Sequence, residues 1–169
     1  SSTWDNLGIL PTGEFIKSYA TSRGAYNTAS SYLLIGGERG GIFRLDDPQN
    51  STDASDAINI TPSEASTTNG TVVSGLATHP TNPDIVLAVY ANYGINSIFI
   101  TTDATSNTPT WTLVERNLEA HSIRSAAIVE LEDETIYMVG TARGLYASND
   151  PLNNDWDIEG ANQMGLAVI

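Results

Sequence analysis

Thr135-Ile136-Tyr137-Met138-Val139-Gly140, then Thr141-Ala142-Arg143, then Gly144-Leu145-Tyr146-Ala147-Ser148-Asn149-Asp150, is the stretch that decides the fold. An apolar run, a short turn and a second apolar run ending in an acidic corner read as a β-hairpin. The pattern occurs twice more. Tyr32-Leu33-Leu34-Ile35-Gly36-Gly37 leads to Gly41-Ile42-Phe43-Arg44-Leu45-Asp46-Asp47, and Ile85-Val86-Leu87-Ala88-Val89-Tyr90 leads to Ser97-Ile98-Phe99-Ile100-Thr101-Thr102-Asp103. A repeated supersecondary unit cannot bury its apolar face alone, so neighbouring copies must stack.

Two further strands flank the hairpins. Upstream lie the small-residue runs Val72-Val73-Ser74-Gly75-Leu76-Ala77 and Ser125-Ala126-Ala127-Ile128-Val129, suited to a crowded inner position. Downstream lie Trp111-Thr112-Leu113-Val114 and Trp156-Asp157-Ile158, with Ile58-Asn59-Ile60 in the first unit. Four short strands per repeat of this length is the blade period of a β-propeller. The expected fold is therefore all-β: a propeller of four-stranded antiparallel blades, about three of them complete, plus strands of two flanking blades. Residues 1–169 form a single propeller portion, with blade strands over about 15–60, 71–115 and 123–158 and flanking strands over 3–7 and 165–169. Within the blades, strands are expected over 32–36, 41–45, 72–78, 85–90, 97–102, 111–115, 124–130, 135–139 and 144–148, and no helix exceeds two turns between 70 and 150. With blades to spare in a closed ring, a further propeller chain completing it is one partner to expect.

The acidic corners resemble a known family. Thr102-Asp103-Ala104-Thr105-Ser106-Asn107-Thr108-Pro109-Thr110-Trp111 is similar to the Asp-box hairpin of BNR-repeat propellers, a superfamily with sialidase-like and sortilin-like members, and Ser148-Asn149-Asp150 followed by Trp156 resembles a second copy. Both lack the glycine after the aspartate, and both stretch the spacing to tryptophan. The resemblance implies that Asp103, Trp111, Asp150 and Trp156 are structural. Elementary chemistry agrees: an aspartate opening a hairpin accepts N–H groups from the turn, and a tryptophan covers the hairpin base while its N–H finds a partner.

Composition bounds the function. Twenty acidic against seven basic side chains give a net charge of −13, which repels phosphate backbones and argues against nucleic-acid binding. No apolar run is long enough for a helical membrane span. The absence of cysteine removes disulfides, thiolate metal sites and cysteine catalysis. Ser, Thr and Asn outnumber the charged residues, Lys17 is the single lysine, and Asn50, Asn59 and Asn69 open N-x-S/T sequons. These features favour an extracellular or cell-surface location, although an Asn- and Thr-rich chain produces such sequons by chance.

Catalytic signals are sparse. His79 sits in the Pro-rich turn Thr78-His79-Pro80-Thr81-Asn82-Pro83 and reads as a turn residue, and no G-x-S-x-G elbow occurs. No catalytic residue and no metal site are assigned; the run Asp46 to Asp56 offers calcium oxygen ligands, but lacks the glycine and terminal glutamate of an EF-hand loop and reads first as a solvated acidic loop. What remains is binding. Arg39 and Arg143 precede a glycine at equivalent repeat positions, Tyr93 and Asn96 occupy the corresponding loop of the second unit, and His121 precedes the third inner strand. The expectation is a non-catalytic interaction or scaffold propeller that binds a protein or glycan through this loop face. The alternative is part of a glycan-active hydrolase, sialidase-like or xyloglucanase-like, with catalytic groups partly outside the chain.

Overall fold

The computed structural model describes residues 6–132 and 134–160. Twelve strands form three four-stranded antiparallel sheets, each a meander in chain order. The first blade is β1 (Ile16–Thr21), β2 (Tyr32–Gly37), β3 (Ile42–Asp46) and β4 (Ile58–Asn59). The second is β5 (Val73–Thr78), β6 (Val86–Tyr90), β7 (Ile98–Thr101) and β8 (Trp111–Leu113). The third is β9 (Ile123–Glu130), β10 (Thr135–Thr141), β11 (Gly144–Ser148) and β12 (Asp157–Glu159). These are propeller blades, and the strands expected between residues 32 and 148 are present with ends shifted by one or two residues. The described residues contain no α-helix, only single 3-10 turns at Ala54–Asp56 and Arg116–Leu118. The flanking strand expected over 165–169 lies outside the described residues, as does the part of 3–7 before Asn6; Asn6 and Leu7 are not in a strand.

Blades stack face to face. Tyr32, Leu34, Ile42 and Ile60 of the first blade bury against Val73, Leu76, Val86, Ala88 and Phe99 of the second. The opposite face of the second, through Leu87, Val89, Ile98 and Ile100, meets Ile128, Tyr137, Val139 and Trp156 of the third. The central strands of the first two blades are thus covered on both sides, which is why β6 is apolar at all five positions. Leu7 and Leu10 cover the other face of the first blade, over Ile35, Phe43, Leu45 and Ala57. The blades approach closely at Gly36, where an added Cβ would lie 2.5 Å from Cγ1 of Val73 in the next blade.

Register makes the blades superimposable position by position. Ile42, Ile98 and Leu145 each pair one residue inside the turn between the second and third strands. Counting from them, Asp47, Asp103 and Asp150 are equivalent, and so are Ala57, Trp111 and Trp156. Each tryptophan N–H donates backwards to the preceding blade: Trp111 Nε1 to the Ile60 carbonyl at 2.7 Å and Trp156 Nε1 to the Val114 carbonyl at 2.8 Å. Ile60 and Val114 are themselves equivalent, so one device holds both seams.

The acidic corners share position but not bonding. Asp103 Oδ1 accepts the Thr101 hydroxyl at 2.6 Å and the Thr110 N–H at 2.8 Å, clasping its nine-residue loop across the base. Those bonds, the Thr101 hydroxyl foremost, hold the Asp103 carboxyl below the usual carboxylate range. Asp150 instead takes the Asn153 amide at 2.8 Å on Oδ2, and Asp47 takes the Asn50 amide at 2.9 Å on Oδ1.

Candidate functional site

The inner strands share an irregularity that places the site. In β1, Ile16 pairs with Gly37 and Ser18 with Gly36, so Lys17 is an extra residue. In β5, Val73 pairs with Tyr90 and Gly75 with Val89, leaving Ser74. In β9, Ile123 pairs with Thr141 and Ser125 with Gly140, leaving Arg124. Each blade therefore opens with a β-bulge at the same register, a device that re-aims a side chain at a sheet edge. Serine hydroxyls stitch these bulges together: Ser18 Oγ donates to the Val73 carbonyl at 2.8 Å and Ser74 Oγ to the Ile123 carbonyl at 2.7 Å.

The same pairings put the β2–β3, β6–β7 and β10–β11 loops at the bulged end of the blades, because β1, β5 and β9 start where those loops turn. Arg39, Tyr93, Asn96 and Arg143 thus lie at one end, joined by Lys17 and Arg124. Lys17, Arg39, Arg124 and Arg143 are exposed, and Tyr93 is 67% exposed. The two loop arginines are held by their backbones, leaving the guanidinium groups outward: Arg39 N–H donates to Glu14 Oε2 and Arg143 N–H to Thr141 Oγ1, both at 2.9 Å. Asn96 has a partner within the fold, its amide reaching the Glu64 carbonyl at 3.2 Å. His121 stands edge-on to Tyr146 with ring centroids 5.6 Å apart, and its Nδ1 is buried without a partner among the described residues.

Three carboxylates at this end are engaged by the chain itself. Glu14 accepts from the Arg39 N–H, Glu38 lies 3.7 Å from the Lys17 ammonium, and buried Glu115 accepts the Ser97 N–H at 2.7 Å and hydroxyl at 2.6 Å. Glu64 and Glu119 are exposed on the interblade linkers. Two further arginines are interblade ties: Arg44 is buried against Asp46 and donates to the carbonyls of Ala104 and Ser106, and Arg116 donates to those of Pro151 and Leu152.

No family model matches the sequence, and no curated protein matches it. Among solved structures, the chain is similar to the Malassezia sympodialis allergen Mala s 1, at 14% identity and TM-score 0.49, over 82% of this chain and 39% of that one. It is similar to a chain in the outer coat vertex of COPII on membranes, at 16% identity and TM-score 0.49, over 79% of this chain and 34% of that one. A chain of the COPII coat assembled on membranes gives the same identity and TM-score, over 79% of this chain and 19% of that one. The chain spans well under half the length of each.

Two cations at the bulged end, Lys17 and Arg124, were not among the residues singled out by sequence. Nothing in the sequence marks a bulge: the extra residue shows only when strand partners are paired. His79 is a turn residue that also joins blades. Its Nδ1 accepts the Thr81 and Asn82 N–H groups at 3.2 Å, while Nε2 lies 3.0 Å from Thr135 Oγ1 in the third blade. Along the Asp46 to Asp56 loop, Asp46 is engaged by Arg44, Asp47 by Asn50 and Asp53 by the Ser55 N–H. Among the described residues no group of three His, Cys, Asp or Glu side chains is placed to hold a metal ion.

Proposed function

We propose that this chain is part of a non-catalytic interaction propeller of the BNR type, displayed outside the cell, that binds a partner carrying clustered carboxylates at its bulged end. The observation that carries the reading is the gathering of Lys17, Arg39, Arg124 and Arg143 at one end of a protein whose net charge is −13. Arginine grips a carboxylate with two parallel hydrogen bonds, and its planar fork loses little freedom in doing so. Exposed Tyr93 between the first and third blades adds an aromatic contact of the kind enriched at binding hot spots. Glu14, Glu38 and Glu115 are engaged within the fold and leave the cationic side chains as the outward chemistry of the loops.

The test uses a fluorescein-labelled hexaglutamate peptide as probe and fluorescence anisotropy as readout, at low and physiological salt. The reading expects binding that weakens with salt, and a loss of at least about fivefold in affinity for Arg39→Ala or Arg143→Ala, about 1 kcal/mol each. Arg23→Ala, on the β1–β2 loop at the opposite end, should bind as the parent does. Failure of the peptide to bind at low salt, or equal losses from Arg23→Ala, would overturn the reading.

A further inference from the structure

The two seams are built from equivalent positions, yet one is closed and the other open. In the seam between the second and third blades, Asn117 clamps Trp156 by its backbone, with Asn117 Oδ1 accepting the Trp156 N–H and Nδ2 donating to its carbonyl, both at 2.9 Å. Arg116 beside it donates to the Pro151 and Leu152 carbonyls, and Trp156 is 1% exposed. The equivalent positions in the first seam are Pro62 and Ser63, which have no side chain long enough to cross. A cleft of about 410 Å³ is left there, and Trp111 remains partly exposed along it.

The lining of this cleft is chemically selective. Besides Trp111, Ile60 and Pro109, it consists of Asn59, Thr61, Ser63, Asn107, Thr108 and Thr110. None of these carries a charge, in a chain where acids are abundant. The hydroxyls of Ser63 and Thr108 and the amide of Asn107 have no hydrogen-bond partner within the described protein, while the Thr110 side chain bonds the Asp103 carboxylate and Asn59 and Thr61 hold each other at 2.6 Å. The cleft is also rigid. Trp111 is fixed by its bond to the Ile60 carbonyl, and the loop from 103 to 110 is clasped by Asp103 and anchored to the first blade by Arg44. A fixed aromatic face ringed by neutral donors and acceptors suits a ligand with one apolar face and a rim of hydroxyls, and rigidity spares the ordering cost of binding.

We infer that the seam between the first and second blades is a binding site for a neutral saccharide, one sugar ring stacking on Trp111 with its hydroxyls on Ser63, Asn107 and Thr108. The size falls in the range of small-ligand pockets, roughly 300 to 1,000 Å³, enough for one or two sugar rings. This site shares no residue with the bulged end, so either proposal stands or falls alone. A proline-rich peptide would also favour an aromatic groove, but it presents few hydroxyls and would leave the cleft's polar groups unpaired.

The experiment uses the 169-residue chain produced in a host that does not glycosylate Asn59. Cellohexaose, maltohexaose and mannohexaose are the probes, followed by saturation-transfer NMR and calorimetry, with decaproline as the competing ligand. The expected result is binding of at least one hexasaccharide, weakened about tenfold by Thr108→Ala and abolished by Ser63→Tyr, which fills the cleft from an exposed position. Both variants should retain the parent melting temperature, which separates a lost site from a lost fold. No binding of any hexasaccharide at millimolar concentration overturns the proposal. So does equal binding by Ser63→Tyr, or tighter binding of decaproline at the cleft.

Discussion

Trp156→Ala tests whether the seams are what holds the blades together. Trp156 is 1% exposed and lies among Leu87, Ile98, Val114, Leu118 and Tyr137. A buried tryptophan removes about 200 Å² from water, which at about 25 cal/mol per Å² amounts to about 5 kcal/mol. Measured tryptophan truncations in packed sites cost about 3–5 kcal/mol. The substitution also strands the Val114 carbonyl, and an unpartnered buried acceptor costs about 1–3 kcal/mol. An expected loss of about 5 kcal/mol takes up much of the stability of a domain this size, typically about 5–15 kcal/mol. Trp156→Phe separates the two contributions. It keeps most of the apolar area, and the Asn117 clamp survives because it grips the backbone, so only the indole N–H is lost and about 1–2 kcal/mol should follow. Urea unfolding followed by circular dichroism measures all of these, with Trp111→Ala alongside. The partly exposed Trp111 should cost less than its buried counterpart. A Trp156→Ala loss below about 1 kcal/mol, or one no larger than that of Trp111→Ala, would refute the reading that Trp156 seals its seam while Trp111 leaves its own open.

Two other perturbations probe the first seam. Arg44→Met should destabilise the chain by about 3 kcal/mol, because it leaves the Ala104 and Ser106 carbonyls without their donor and frees the 103–110 loop; amide hydrogen exchange should rise there and not in the 149–156 loop. Asp103, held below the usual carboxylate range by Thr101 and Thr110, contributes stability that is present above the ordinary value of 3.8 and disappears as pH falls through its lower folded value. The stability gap between parent and Asp103→Asn should therefore be constant at neutral pH and shrink below pH 3.8, as read from melting temperatures across an acid series; a gap that widens on acidification would contradict the clasp.

The sequence determined the blades because their information is local and periodic. Val86 to Tyr90 and Thr135 to Gly140 are apolar runs bounded by turns, and the first, covered on both faces, needs no alternation to be recognised. The one strand not read as such was β1. Ile16-Lys17-Ser18-Tyr19-Ala20-Thr21 is polar at three of six positions and largely exposed, so burial leaves little mark on its composition. The equivalence of Arg39 with Arg143 was also legible, since both sit before a glycine at the same step of the repeat. Tertiary structure decided the rest. Lys17 and Arg124 join that end only because a bulge in each inner strand adds one residue against its partner, and strand pairing is not written in either strand alone. Nor could the sequence say that Trp111 borders an open cleft while Trp156 is sealed. That difference rests on what faces each tryptophan from the neighbouring blade, Pro62 and Ser63 in one seam and Arg116 and Asn117 in the other, a contact between residues some forty to fifty positions apart.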